Sequence, residues 1–225
     1  MGRRNYDLII FDCDGTLVDS EYLNNKVSSD LLIEFGLTEY TPEKCIDEFA
    51  GSTWTNIKLL LEDRHNLTLP PDFIQTYIDR VHIEMESGLK PIPGAMDLVK
   101  ASSSKGKICV ASNGERSNVM KSLSLQGYND YFSEENIFTR IQVPNGKPAP
   151  DIFLFAAQNM GVNPQDCLVI EDSPTGVLAG VAAGMDVFGF VGASHDSAVQ
   201  EKRLKQAGTQ AVFSDFIHIA QVLGY

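Results

Sequence analysis

Two carboxylates stand at the end of a short apolar run in the segment Tyr6-Asp7-Leu8-Ile9-Ile10-Phe11-Asp12-Cys13-Asp14-Gly15-Thr16. An apolar run of this length, without polar alternation, predicts a parallel strand that is buried on both faces. Gly15 permits the sharp backbone turn that leaves the strand. Because open α/β sheets collect their chemistry at the carboxyl ends of the strands, we expect Asp12 and Asp14 to lie in a functional site.

The residue types of this segment suit proton transfer and metal binding. One carboxylate can serve as a nucleophile or metal ligand while a second, one step further on, moves a proton. Carboxylate oxygens are also the hard ligands that Mg²⁺ prefers. An isolated Asp-x-Asp pair more often only begins a loop, so this interpretation depends on partners elsewhere in the chain.

Composition narrows the class of protein and of partner. The chain has 225 residues, a hydrophobic content of 43% and a formal net charge of −12. The apolar content is ample for a packed core, and the negative charge argues against a nucleic-acid partner, which would select a basic surface. The net negative charge also means that a site for a phosphorylated substrate would need a metal ion or a lysine to make its local electrostatic potential positive.

Neither the cysteines nor the hydropathy indicates secretion or a membrane. The four cysteines are scattered without a Cys-x-x-Cys pair, which predicts buried thiols in a reducing compartment rather than disulfides or a zinc site. No apolar stretch approaches the length of a membrane span, and the run before Asp12 is too short for a signal peptide. We therefore expect a soluble, cytoplasmic protein without a membrane partner, as a monomer or weak dimer.

Predicted strands and helices alternate along the chain except in one helical block. Residues 20–90 show helical periodicity and no strand pattern, with helices expected to begin near Glu21, Pro42 and Pro71. Further strands are predicted at 107–111, 137–139, 167–170, 187–191 and 211–213. The predicted fold class is α/β, a doubly wound parallel sheet formed by residues 1–19 and 91–225. Residues 20–90 are expected to be an inserted all-helical cap that acts as a lid over the active edge of the sheet.

Three further polar strings complete the pattern. Ser112-Asn113-Gly114 follows one predicted strand and offers a hydroxyl and an amide for phosphoryl oxygens. Glu171-Asp172-Ser173 follows another and offers carboxylates that could complete a magnesium site with Asp12. Gly146-Lys147-Pro148 places a lysine in a rigid turn, where it can neutralise a phosphate and the charge on a nucleophile. Each string alone is more often a helix cap or a solvated turn, so only their joint arrangement favours a phosphoryl-transfer site.

Taken in order, the four strings resemble the motifs of the haloacid dehalogenase (HAD) superfamily, in the subgroup with a helical cap after the first motif. The resemblance covers nearly the whole chain. It implies that Asp12 is the nucleophile that becomes an aspartyl phosphate and that Asp14 is the general acid and then the general base. It also implies a Mg²⁺ ion bound by Asp12, the main-chain carbonyl of Asp14, Asp172 and, directly or through water, Glu171.

The same resemblance implies how the phosphate is held. Ser112 and Lys147 resemble the phosphate-holding pair of the family, and the amide of Asn113, which follows Ser112 in the sequence, is a further candidate substrate-binding group. A dianionic phosphoryl group repels a carboxylate nucleophile until a divalent ion and a lysine screen it. Phosphatase chemistry on a small phosphorylated molecule is therefore the function expected from these residues.

Within the subgroup, the opening segment is most similar to bacterial sugar-phosphate phosphatases, including 6-phosphogluconate phosphatase. The β-phosphoglucomutases of the subgroup carry a His after the first motif and a cap Arg that grips a second phosphate. Here Asn24 stands at the first of these places, and Trp54, in Gly51-Ser52-Thr53-Trp54, stands at the second. The resemblance therefore implies a Mg²⁺-dependent phosphatase for a sugar or sugar-acid phosphate, with 6-phosphogluconate among the candidates.

Three alternatives stay open: a β-phosphoglucomutase-type phosphomutase, a dehalogenase and a catalytically silent binding module. A dehalogenase needs no metal and would leave Asp14 and the acidic pair after residue 170 without a role. The candidate specificity residues are Asn24, Trp54, Lys58 and Arg116. For Trp54 we favour packing inside the cap over a sugar platform, because a lone tryptophan usually buries its area.

Overall fold

The computed structural model describes residues 4–49, 52–194 and 196–225. The strands in this part of the chain are β1 (Leu8–Phe11), β2 (Val18–Asp19), β3 (Lys90–Pro91), β4 (Lys107–Ser112), β5 (Ile137–Thr139), β6 (Cys167–Glu171), β7 (Asp186–Phe190) and β8 (Ala211–Phe213). The α-helices are α1 (Glu21–Glu34), α2 (Pro42–Phe49), α3 (Trp54–His65), α4 (Phe73–Gly88), α5 (Ala95–Ser103), α6 (Arg116–Leu125), α7 (Asp151–Met160), α8 (Pro174–Ala182), α9 (Ser197–Ala207) and α10 (Phe216–Leu223). The chain divides into two compact units: one is formed by Met1–Asp19 and Lys90–Tyr225, and the other by Ser20–Leu89.

The larger unit is built on a six-stranded sheet with the strand order β5-β4-β1-β6-β7-β8. Its neighbouring strands all pair in parallel. Ile10 of the central strand β1 lies opposite Cys109 of β4 on one side and Val169 of β6 on the other. The chain winds outward from β1 through β4 to β5, and then in the other direction from β6 to β8. The predicted doubly wound α/β fold is confirmed, and its switch point lies between β1 and β6.

Burial explains why β1 could be predicted from its composition. Each of its residues, Leu8 to Phe11, is at most 2% exposed. A parallel strand covered on both faces needs apolar side chains at every position, which gives a continuous run instead of an alternating one. Ile10 belongs to an apolar cluster that also contains Val169 of β6 and Phe153 of α7.

Parts of the larger unit lie outside the predicted elements. Strands β2 and β3 form a two-residue antiparallel ribbon, in which Asp19 lies opposite Lys90. Helices α9 and α10 fall where no helix is predicted. Each begins after an aspartate, Asp196 or Asp215, whose side chain accepts a hydrogen bond from a main-chain N–H of the first turn.

The smaller unit consists of α1 to α4 around its own apolar cluster. Thr41 and Pro42 begin α2 as predicted, and the Thr41 hydroxyl accepts a hydrogen bond from the N–H of Lys44 at 3.3 Å. Trp54 is 8% exposed and belongs to the cluster, with its ring centroid 4.1 Å from that of Tyr77. The packing role favoured for Trp54 is confirmed.

The cysteines agree with the prediction of buried thiols. All four cysteines are buried and none forms a disulfide. Among the described residues, none of the helices combines the length and apolarity needed to cross a bilayer.

Candidate active site

The switch point of the sheet brings three carboxylates together. Asp12 directly follows β1, and Glu171 ends the adjacent strand β6 with Asp172 next in the chain. Because Phe11 lies opposite Ile170 in the register, the acidic residues leave the sheet side by side. Each of the three offers a carboxylate oxygen such that these oxygens lie within 4.8 Å of one another.

The ammonium of Lys147 lies between two of these carboxylates. Its Nζ donates to Asp12 Oδ1 at 2.5 Å, to Glu171 Oε1 at 2.6 Å and to the main-chain oxygen of Ala111 at 2.8 Å. These three bonds use every donor of the ammonium group. Burial alone would lower the pKa of Lys147, but the negative charges of Asp12 and Glu171 outweigh it and raise the pKa. Lys147 therefore stays charged.

The charge balance around Asp12 fits a divalent cation. Burial raises the pKa of the Asp12 carboxyl to about 8 against the opposing effect of Lys147, and the charge of Glu171 acts in the same direction as burial. With its three carboxylates ionised, the cluster contains more negative charge than the single ammonium of Lys147 neutralises. Three convergent carboxylates are hard oxygen donors of the kind that Mg²⁺ takes, so the residues present fit this ion.

Glu171 is fully buried, and both of its carboxylate oxygens are in use. Oε1 accepts the hydrogen bond from Lys147, while Oε2 accepts bonds from the N–H and the hydroxyl of Ser173 at 3.0 and 2.9 Å. The main chain of α8 passes directly over this carboxylate, because a Cβ on Gly176 would overlap it. Glu171 therefore anchors Lys147 in addition to being a candidate metal ligand.

Asn113 holds the loop that carries Lys147. The N–H of Lys147 donates to Asn113 Oδ1 at 2.9 Å, and Asn113 Nδ2 donates to the carbonyl of Lys147 at 3.0 Å. A Cβ on Gly146 would lie 2.7 Å from Asn113 Oδ1, so the loop can approach the amide only because residue 146 is glycine. The amide of Asn113 thus faces the lysine loop, and its role in substrate binding stays a prediction.

Ser112 and Asp14 meet at Gly114. Ser112 is buried at the end of β4, and its Oγ accepts a hydrogen bond from the N–H of Gly114 at 2.9 Å. A Cβ on Gly114 would lie 3.1 Å from Ser112 Oγ and 3.2 Å from Asp14 Oδ2. The structure therefore brings all of the predicted site residues to the same end of the sheet.

Asp172 has a close neighbour on each of two sides, one at its carboxylate and one at its main-chain oxygen. Gly15, whose φ is +78°, carries the main chain past the Asp172 carboxylate, which a Cβ at this position would overlap. On α9, Gln200 Nε2 donates to the main-chain oxygen of Asp172 at 2.6 Å. Gln200 belongs to no sequence motif and lies in a helix without a clear sequence pattern, so the sequence alone gives no signal for this contact.

The candidate specificity residues have neighbours inside their own units. Lys58 forms an ion pair with Glu62 one turn further along α3. The Arg116 guanidinium donates to the main-chain oxygens of Ile137 and Glu134 at 2.8 and 3.1 Å, which ties α6 to β5 and the chain before it. The side-chain oxygen of Asn24 is buried and has no hydrogen-bond partner among the residues that the structure describes. Gly51, which belongs to the string that ends at Trp54, lies outside the described residues.

Comparison with known proteins identifies relatives over most of the chain. Residues 9–190 match the model of the haloacid dehalogenase-like hydrolases. The chain is 30% identical over 217 residues to 6-phosphogluconate phosphatase of Escherichia coli (strain K12), covering 96% of this chain and 92% of that protein. It is 31% identical over 181 residues to a fructose-1-phosphate phosphatase of the same strain, covering 80% and 94%. The crystal structure of a haloacid dehalogenase-like protein of unknown function from Agrobacterium tumefaciens str. C58 covers 98% of this chain and 100% of its own, with 34% identity and a TM-score of 0.77.

Fold and site together define a hydrolase whose acidic residues meet at the switch point of a doubly wound sheet. The chain belongs to the haloacid dehalogenase-like hydrolases, since the family model covers most of its length and the relatives align over nearly all of it. The family inferred from the four sequence strings is confirmed.

Proposed function

We propose that the chain is a Mg²⁺-dependent phosphatase that hydrolyses a small phosphorylated metabolite, a sugar or sugar-acid phosphate, through an aspartyl phosphate on Asp12. One observation carries this proposal. The buried Asp12 carboxylate lies 2.5 Å from the ammonium of Lys147 and within a cluster that includes the carboxylates of Glu171 and Asp172. Such a carboxylate can attack a phosphorus atom once its charge and that of the phosphate are screened.

The reaction takes place in two displacements at phosphorus. First, an Asp12 oxygen bonds to the phosphorus, the bond from phosphorus to the metabolite oxygen breaks, and Asp14 protonates the departing oxygen. Asp14, now a carboxylate, then takes a proton from a water molecule whose oxygen attacks the same phosphorus. The Asp12–phosphorus bond breaks, which releases inorganic phosphate and returns both aspartates to their starting forms. Ser112 holds the phosphoryl oxygens by hydrogen bonding, and the positive charge of Lys147 screens them from the carboxylates.

The residues that would hold Mg²⁺ are Asp12, Asp172 and the main-chain carbonyl of Asp14, together with Glu171. When bound, the ion neutralises charge on the phosphoryl oxygens. The oxygens of Glu171 already accept bonds from Lys147 and Ser173, which favours contact to the ion through water over direct ligation.

The relatives support the substrate class. Two proteins similar over most of this chain are named as phosphatases of 6-phosphogluconate and of fructose 1-phosphate. Trp54, which is buried among aromatic rings, stands where the mutases use an arginine to grip a second phosphate, and this favours hydrolysis over phosphate transfer within a sugar. We further propose that the helical unit, Ser20–Leu89, is the cap that selects the substrate.

Phosphate release from a panel of phosphorylated metabolites tests this function. The panel contains 6-phosphogluconate, several sugar phosphates, nucleotides and pyrophosphate, each assayed with Mg²⁺ and with EDTA. We expect Mg²⁺-dependent release that is fastest for the sugar or sugar-acid phosphates. Asp12→Asn should abolish turnover with the fold intact, because the amide is a poor nucleophile. Asp7→Asn is the matched control, since Asp7 lies at the opposite end of β1 and should be dispensable.

Other outcomes would support the alternatives. Conversion of a sugar phosphate to its isomer with little free phosphate would indicate a mutase. Absence of Mg²⁺-dependent release by the wild-type protein across the whole panel would indicate a binding module. Substantial turnover by Asp12→Asn would contradict the aspartyl-phosphate mechanism.

A further inference from the structure

Helix α9 brings one polar side chain to the acidic end of the sheet. Gln200 lies in the first turn and a half of this helix, where its side chain is partly buried. The start of the helix is fixed, because Asp196 Oδ1 accepts a hydrogen bond from the N–H of Val199 at 3.0 Å and Ser197 Oγ donates to the carbonyl of Val191 at 3.2 Å. From this fixed base, Gln200 Nε2 donates to the main-chain oxygen of Asp172 at 2.6 Å.

The turn that carries Asp172 is held on both flanks. Before it, Glu171 is locked by Lys147 and Ser173; after it, the Ser173 hydroxyl caps α8 by accepting the N–H of Gly176 at 3.0 Å. Between these points, the peptide that joins Asp172 to Ser173 is held at both of its polar groups: its N–H donates to Glu171 Oε2 at 3.0 Å, and its carbonyl oxygen accepts from Gln200 Nε2 at 2.6 Å. Gln200 therefore holds the carbonyl side of the peptide that leaves Asp172.

We propose that Gln200 is a positioning residue that orients the Asp172 carboxylate for the divalent cation. This rests on the proposed function, in which Asp172 is a ligand of that ion. A metal ligand binds more tightly when a neighbouring group holds it in its coordinating orientation before the ion arrives. Gln200 stands outside the four sequence strings and contacts the site from a different helix.

Loss of this single hydrogen bond sets the size of the effect. A neutral hydrogen bond contributes about 1 kcal/mol net, so removing it should raise the dissociation constant for Mg²⁺ about threefold to tenfold. At saturating Mg²⁺ the metal site of the variant is fully occupied again. The kcat should then return to within about twofold of the wild-type value, since Gln200 is not proposed to touch the substrate. A residue that only supported the fold would lower thermal stability and leave the metal affinity unchanged.

The experiment measures Mg²⁺ binding directly, by isothermal titration calorimetry on the full chain. Gln200→Met keeps the length of the side chain and removes its donor, while Gln200→Asn keeps the amide and shortens its reach. Gln206→Met is the matched control, because it makes the same change at an exposed position of the same helix. The Mg²⁺-dependence of phosphate release and the thermal unfolding of each metal-free protein are measured alongside.

We expect weaker Mg²⁺ binding in both Gln200 variants and wild-type affinity in Gln206→Met. Unchanged Mg²⁺ affinity in both Gln200 variants, with a wild type that binds Mg²⁺ and releases phosphate, overturns the role of Gln200 and leaves the proposed function standing. A wild type that neither binds Mg²⁺ nor hydrolyses any phosphorylated compound overturns the function itself. The two failures are therefore distinguishable.

Discussion

The substitution Gly176→Ala should increase the intrinsic stability of helix α8 and still lower the stability of the folded protein. Gly176 lies in the first turn of α8, where alanine is more favourable than glycine by at most about 1 kcal/mol. The added Cβ would, however, overlap the carboxylate of Glu171, which is fully buried. Glu171 cannot move away without lengthening its bonds to Lys147 or Ser173.

The expected loss is larger than the helical gain. Forcing an extra carbon into a packed interior costs about 1–3 kcal/mol, and losing one partner of a buried ion pair costs about 3–5 kcal/mol. The carboxylate shifts without being removed, so we expect a net destabilisation of about 2–4 kcal/mol, which lowers the apparent Tm of a chain of this size by roughly 5–15 °C. The kcat should fall at least about tenfold, since Lys147 loses one of its two carboxylate anchors.

Thermal unfolding and phosphate release at saturating Mg²⁺ measure both effects. Gly88→Ala is the matched control: Gly88 is also helical, and its added Cβ would meet only Leu23 Cδ1 at 3.5 Å, an ordinary contact. That variant should keep its stability and its activity. A Gly176→Ala protein that is as stable and as active as Gly88→Ala would refute the assignment of Glu171 as the buried anchor of Lys147.

Three further predictions follow from the same contacts. Asn113→Leu should lower the free energy of unfolding by about 1–3 kcal/mol and reduce kcat, because the N–H and carbonyl of Lys147 lose their partner. Unchanged stability with only a raised KM would instead show that Asn113 binds the substrate. Trp54→Ala should destabilise the helical unit by about 3–5 kcal/mol, measured by urea unfolding followed by circular dichroism. A variant that unfolds like the wild type while its KM rises would instead favour a role for Trp54 as a platform for the sugar. Inorganic phosphate should bind in calorimetry with Mg²⁺ present and not with EDTA, whereas equal affinity in both would contradict the need for charge screening.

The core of the fold and the position of the site could be predicted because buried parallel strands leave a strong signal. Strand β1 reads as an uninterrupted apolar run, and polar residues appear where it stops. Since the carboxyl ends of parallel strands share one edge of the sheet, strings far apart in sequence could be assigned to one place. Glycines in or next to these strings are explained by the structure: Gly15 and Gly146 lie within them and Gly176 lies three residues after Ser173, and all three permit approaches that a Cβ would block.

The parts that could not be predicted have weak local patterns. Helix α9 buries only Leu204 and Ala207 among its side chains, so it has too few apolar positions to show helical periodicity. Helix α10 does bury Phe216, Ile219 and Leu223 at helical spacing, and this signal was available in the sequence. Pairings such as Asn113 with the Lys147 main chain depend on loop geometry, which no spacing rule describes.

The charge of the cluster explains how an acidic chain can act on an anion. Asp12, Asp14, Glu171 and Asp172 converge on one end of the sheet, where the ammonium of Lys147 faces two of them. Two like charges about 4 Å apart repel by about 4 kcal/mol at the effective dielectric of a protein surface, so a phosphate dianion cannot enter this cluster unscreened. Burial, together with the charge of Glu171, raises the pKa of Asp12, and the excess of negative charge in the cluster favours a bound divalent cation. We therefore expect cation binding to precede phosphate binding, so that in the proposed mechanism Gln200 acts on the substrate step only through the metal.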